Sequence, residues 1–272
     1  MQNATVVGAM TMPESATSST VVARKAPIRF VAAWLFSIVY WPAWVLCIIA
    51  ISAMSAVIMQ REARWRLGQR TITLAIGSYM QVLEWLGIIW VDDTALRQYA
   101  DMPGPLIFAC NHPALWDAPL IMRRIGRVLC VMKTDIGANP LLGTGARFAG
   151  YVPNSPRIRM IREAVKRLRQ GERLLLFPEG TRTRREEGLI NPFRPGLALL
   201  AKKSAAPVLP IFIRTDSAYS GKGWPIWRLS EFPVSITFEV GDTLTIHPEE
   251  CVRDFTTRLE DCFRRALFKR PD

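Results

Sequence analysis

Leu106-Ile107-Phe108-Ala109-Cys110-Asn111-His112-Pro113-Ala114-Leu115-Trp116-Asp117 decides how this chain is read. Its first five residues form an unbroken apolar run, the pattern of a strand covered on both faces. Polar groups begin where that strand ends, which is where open α/β sheets build their sites. Asp117 follows His112 at the start of the next helical pattern. A carboxylate so placed accepts from Nδ1 of the imidazole, fixes its tautomer and leaves Nε2 to take a proton from a hydroxyl. The chain has no G-x-S-x-G elbow, so the simplest chemistry is direct attack by the hydroxyl of a second substrate.

A second polar cluster, Phe177-Pro178-Glu179-Gly180-Thr181-Arg182, follows the apolar run Leu174-Leu175-Leu176. The guanidinium fork of Arg182 suits a phosphate, Gly180 lets backbone approach an anion, and Thr181 adds a hydroxyl. Glu179 is out of place beside a phosphate, and is expected to orient Arg182 or to accept from a substrate hydroxyl. Cys110 projects toward the face of His112, so a cysteine acyl-enzyme is the rival chemistry. A cysteine in an apolar strand is ordinarily a buried, unreactive hydrophobe.

Taken together, Asn111-His112 with Asp117, the cluster from Phe177 to Arg182, and Val208-Leu209-Pro210-Ile211 resemble the glycerophospholipid acyltransferase family over roughly residues 105 to 240. The resemblance implies an HxxxxD acyltransferase that moves a fatty acyl group from acyl-CoA or acyl-carrier protein to a lysophospholipid hydroxyl. 1-Acyl-sn-glycerol-3-phosphate, giving phosphatidic acid, is the leading acceptor. It implies His112 as general base, Asp117 as its orienter, and Asn111, Glu179, Gly180, Thr181 and Arg182 as acceptor-binding residues. Arg157 joins them through the family's second block. That block is altered here, since Gly150-Tyr151-Val152-Pro153 reaches Arg157 only after Asn154-Ser155-Pro156, and Ala114 stands where many members carry serine. These departures keep open another acceptor, such as a lyso-ornithine lipid or a specialised-pathway product. A membrane-binding protein with a degenerate site is the non-enzymatic alternative.

Around this centre, apolar strands expected at 105–110, 127–132, 173–177, 208–213 and 234–240 alternate with helices at 117–124, 157–170, 195–204 and 250–268. The fold class is α/β, a mixed, mostly parallel sheet flanked by helices, with an N-terminal membrane-associated helical segment. Residues 1–26 read as a mobile tail, 27–90 as the membrane-associated segment and 91–272 as the acyltransferase domain. Between Phe30 and Met59 no residue is charged, a run longer than the ~20 residues that cross a bilayer as a helix. It is expected either to span once or to enter and return at Pro42. Arg24 and Lys25 precede it and Arg61, Arg64, Arg66 and Arg70 follow it, which favours a shallow helix pair with the catalytic domain on the cytoplasmic face.

Lysine and arginine outnumber acids by 35 to 23, for a net charge of +12. Such a surface seeks a negative partner. No nucleic-acid module accompanies the charge, so anionic membrane lipid and an acidic acyl-carrier protein fit better. Arg162, Lys166 and Arg169 read as a solvated helix face. The five cysteines contain no C-x-x-C pair, which argues against a disulfide framework or zinc and for a reducing compartment. No cofactor and no metal are expected.

Overall fold

The computed structural model describes residues 24–268 apart from 101, 140–141, 185, 187, 226–227 and 229. In chain order the strands are β1 (Arg24–Lys25), β2 (Ile89–Asp92), β3 (Leu106–Cys110), β4 (Leu129–Met132), β5 (Val152–Pro153), β6 (Arg173–Leu176), β7 (Val208–Thr215), β8 (Glu231–Phe232) and β9 (Val234–Val240). The helices are α1 (Pro27–Ile58), α2 (Arg61–Trp85), α3 (Asp117–Ile125), α4 (Thr134–Ala138), α5 (Leu142–Phe148), α6 (Arg157–Arg169), α7 (Gly196–Ser204) and α8 (Val252–Phe268). Seven strands make one sheet in the order β2-β9-β7-β3-β6-β4-β5. Only β7 and β9 run antiparallel; the other neighbours are parallel.

Strand β3 lies at the centre, and all five of its residues are buried. Successive side chains point to opposite faces, so Phe108 and Cys110 join the core beneath α1, α2 and α3, while Ile107 and Ala109 join the core beneath α6, α7 and α8. Two buried faces explain why the segment is continuously apolar instead of alternating. Helix α8 shows the complementary pattern. Phe255, Leu259, Phe263 and Leu267 recur every four residues and are all buried, one stripe on a 3.6-residue period, with Phe263 edge-on to Phe193 and Phe212. On α6 the stripe Met160, Ala164, Val165 and Leu168 is buried, whereas Arg162, Lys166 and Arg169 face solvent as the charge pattern predicts.

In the N-terminal segment one of the two open arrangements, a return at Pro42, is not found, and one expectation is overturned. Helix α1 continues through Pro42, and the chain reverses at Met59–Gln60. Proline removes one backbone donor and crowds the preceding turn, but a long apolar helix packed against a neighbour absorbs that loss. Arg24 and Lys25, expected in a mobile tail, pair antiparallel with Phe232 and Glu231; residues 1–23 of that expected tail lie outside the described residues. Helices α1 and α2 pack antiparallel, with the Ser37 and Tyr79 hydroxyls 2.8 Å apart and the Tyr40 hydroxyl donating to the Ala75 carbonyl at 2.6 Å. Helix α1 is long and apolar enough to cross a membrane by length and composition, and its outer face exposes Trp34, Leu35, Ile38, Val39 and Leu46. Helix α2 shares its core with the sheet: Tyr79, Met80 and Leu83 lie in one cluster with Phe108 and Ile211.

Candidate active site

The site forms where β3 leaves the sheet. His112 Nδ1 and Asp117 Oδ2 are 2.8 Å apart, and the same Asp117 oxygen accepts the Ala114 N–H at 2.8 Å. Asp117 is the first residue of α3, where a negative charge meets the positive end of the helix. Its side chain is fully buried, while that of His112 keeps 18% of its surface open. Burial pushes the Asp117 carboxyl above its ordinary range, and the His112 hydrogen bond and charge pull it part of the way back. The imidazole stacks on Phe177 with centroids 4.0 Å apart and planes 19° from parallel. Held by a ring on one side and a carboxylate at Nδ1, it presents Nε2, which has no protein partner among the described residues.

The second cluster acts on the first through backbone. Glu179, only 2% exposed, accepts the His112 N–H at 2.8 Å, the Asn191 N–H at 2.9 Å and the Thr183 hydroxyl at 2.9 Å on each oxygen. The Thr183 N–H donates in turn to the His112 carbonyl at 2.7 Å. Both peptide groups of His112 are therefore clamped by residues 179–183. Burial pushes the Glu179 carboxyl up, and these donors restrain it. This corrects the expectation for Glu179: its oxygens are occupied by the scaffold and it contacts neither Arg182 nor an open surface. Asn111 is corrected likewise. Its amide is buried and exchanges two bonds with Ile213 on β7, Nδ2 to the carbonyl at 2.9 Å and Oδ1 from the N–H at 2.7 Å, so it extends the β3–β7 pairing instead of facing a substrate.

Gly180, Thr181 and Arg182 stand at the mouth of the site. Gly180 has φ of +70°, and a Cβ there would lie 3.0 Å from Cδ and Nε of Arg194. Glycine is needed both for that backbone conformation and for the side chain lying over it. Arg194 had no signal in the sequence beyond its charge; it is exposed, and its N–H anchors to the Pro178 carbonyl at 2.9 Å. Arg182 spends Nη1 on the Ser220 and Gly221 carbonyls at 2.8 and 2.9 Å, and its charge also reaches Asp117. The fork thus ties the loop after β7 to the site through Nη1. Thr181 is half-buried beside it. Arg157 is exposed at the start of α6, beyond the carboxyl end of β5. That strand lies three places along the sheet from β3, and no hydrogen bond or ion pair joins Arg157 to the cluster among the described residues.

Cys110 is fully buried, and burial pushes its thiol well up, reinforced by the charge of Asp117. A thiolate nucleophile has neither the ionisation nor the access it needs there. All five cysteines are free, and among the described residues no group of three or more His, Cys, Asp or Glu is placed to hold a metal ion. The aromatic chain Trp41–Tyr79–Trp116, with centroids 4.8 and 5.9 Å apart, connects α1 to the residue preceding Asp117, so the exposed apolar helix and the site share one framework.

Comparison with known proteins finds similar chains. Residues 92–214 match the Acyltransferase family. A 1-acyl-sn-glycerol-3-phosphate acyltransferase from Brassica napus is 28% identical over 44% of this chain and 36% of its own length. One from Limnanthes douglasii is 27% identical over 59% of this chain and 58% of its own. The matched stretch thus covers less than two thirds of these relatives. The crystal structure of the 1-acyl-sn-glycerophosphate acyltransferase from Thermotoga maritima superposes with a TM-score of 0.62 at 21% identity, over 88% of this chain and 93% of that one, and so shares the fold. The matched residues include His112, Asp117 and the 179–183 clamp, and the relatives named above support a likeness to the glycerophospholipid acyltransferase family.

Proposed function

We propose that the protein transfers a fatty acyl group from an acyl thioester, acyl-CoA or acyl-carrier protein, to the free hydroxyl of 1-acyl-sn-glycerol-3-phosphate, giving phosphatidic acid. The observation that carries this reading is the His112–Asp117 pair with Nε2 open beside a glycine turn and two guanidiniums. The acceptor hydroxyl loses its proton to Nε2 as its oxygen attacks the thioester carbonyl. The C–O bond forms, the C–S bond breaks, and the thiolate leaves with the proton returned by the imidazolium. Asp117 holds the tautomer and stabilises that cation. Arg182, the Gly180 turn and Arg194 hold the acceptor phosphate, converting its binding energy into orientation of the hydroxyl. The Ala114 and Leu115 N–H groups are spent on Asp117 and Ser220, so the oxyanion donors are assigned to the next peptide groups, in the first turn of α3. Helix α1 seats the enzyme in the membrane, with the catalytic domain on the cytoplasmic face.

The test offers the detergent-purified protein 1-acylglycerol-3-phosphate and a lyso-ornithine lipid, with labelled acyl-CoA and acyl-carrier protein, and His112→Ala as control. Product from the phosphorylated acceptor that disappears in the variant supports the reading. Product from the other acceptor alone reassigns the substrate, and turnover retained by His112→Ala overturns the mechanism.

A further inference from the structure

A second basic concavity lies at the opposite end of the sheet. It is a cavity of about 470 Å³ at the amino ends of β3, β4 and β6, under the first turns of α2. His112 lies past the carboxyl end of β3, on the order of 20 Å away at ~3.3 Å per strand residue. Two exposed guanidiniums line the cavity, those of Arg66 and Arg127, and neither side chain has a partner among the described residues. Gln69 and Gln170 add amide groups, Trp65 forms a wall and Glu62 stands at the lining.

Buried arginines build the frame. Arg173 donates to the carbonyls of Tyr99, Ile125 and Arg127 at 2.7 to 2.8 Å, which fixes the backbone of the residue that carries one of the two free charges. Arg167, 2% exposed, is bound to Glu172 and the Gly150 carbonyl and stacks at 4.5 Å on Trp65, whose ring also lies 4.5 Å from Arg61. The walls are thus held in place before any ligand arrives, which is what an anion site needs if binding is not to pay for ordering it. With four arginines against Glu62 and Glu172, the lining is net positive. The concavity adjoins the reversal at Met59–Gln60, where the last turns of α1 expose Met54, Val57 and Ile58 at 67%, 87% and 79%. Apolar anchor and basic cavity therefore sit side by side, the arrangement that receives a phosphate at the level of lipid headgroups.

We propose that this cavity is a second phosphate-binding site, separate from the acyl-transfer site, in which Arg66 and Arg127 grip one phosphate group. Two sources share that chemistry, the headgroup of an anionic phospholipid and free phosphate. The test follows the thermal-unfolding midpoint of the full chain in non-ionic detergent as either inorganic phosphate or short-chain phosphatidylglycerol is added, at ionic strength held constant with chloride. A saturable rise is expected. Binding inferred from it should weaken about tenfold or more in the Arg66→Ala/Arg127→Ala variant, which removes two charge-assisted contacts, and persist in Arg182→Ala. Glu62→Gln, which removes a nearby negative charge, should strengthen it. A rise with lipid beyond that given by inorganic phosphate identifies a headgroup, and a rise with inorganic phosphate alone identifies the free anion; both uphold the site. No rise with either ligand, a rise unchanged in the double arginine variant, or one abolished by Arg182→Ala overturns it.

Discussion

Glu179 Oε1 accepts the backbone N–H of His112 at 2.8 Å across 67 residues of sequence. The two polar clusters are therefore one mechanical unit. In Glu179→Gln one carboxylate oxygen becomes an amide that faces N–H donors, leaving at least one buried donor unpaired at a cost of about 1–3 kcal/mol. The expected outcome is a lower melting temperature and a fall in kcat larger than any change in acceptor KM, checked by calorimetry and steady-state kinetics. A change confined to acceptor KM would return Glu179 to the substrate.

Asp117→Asn tests the orienter. An amide in place of the Oδ2 acceptor no longer enforces the tautomer that frees Nε2. Loss of a buried orienting carboxylate costs up to about 10⁴-fold in kcat where a histidine base depends on it, and a drop of at least about 10²-fold is expected here with thioester KM little changed.

Gly180 and Arg194 are predicted to act as a pair. Gly180→Ala places a Cβ against the Arg194 side chain in a left-handed backbone conformation, which alone costs roughly 1 kcal/mol. Each of Gly180→Ala and Arg194→Ala should raise the acceptor KM several-fold more than the thioester KM. The double variant should fall short of the sum, because both changes remove the same guanidinium from the same place. Strict additivity would separate the two residues.

Asn111→Ala should act on stability. It strips both partners from the buried N–H and carbonyl of Ile213, costing about 2–4 kcal/mol. A stable variant altered only in acceptor KM would contradict the bridging role.

Acid stability depends on Asp93. Burial pushes its carboxyl up, but Arg124 and Arg123 overcome this and hold it below the ordinary range. A depressed carboxylate contributes stability that is complete above its unfolded pKa of about 4 and is lost as pH falls through the lower folded value. Urea titrations between pH 7 and 3 should show this loss, and Asp93→Asn should lower stability at pH 7 while reducing its decline on acidification.

The residues from Leu106 to Asp117 announced their own structure because both local signals agreed: an apolar run buried on two faces, then a polar pair at helix-start spacing. Strand β9 and helices α3, α6 and α8 were legible for the same reason. Strand β2 was not, since Ile89–Asp92 continues an apolar stretch that reads as helix, and only pairing with β9 makes it extended. The choice between a single span and a return at Pro42 was not legible, because proline marks a break by local rules while packing of Tyr40 and Trp41 on Tyr79 holds the helix through it.

By itself the sequence determined which side chains could do chemistry and the end of the sheet where they gather, since hydrophobic period and local spacing are properties of neighbouring residues. Tertiary structure alone decided what each polar group does. Glu179 and Asn111 carry the signature of a site, yet their bonds run to His112, Asn191 and Ile213, while Arg194, with no motif of its own, is laid across Gly180. A buried polar group must be paired, and its partner is chosen by the folded neighbourhood, which sequence spacing does not contain.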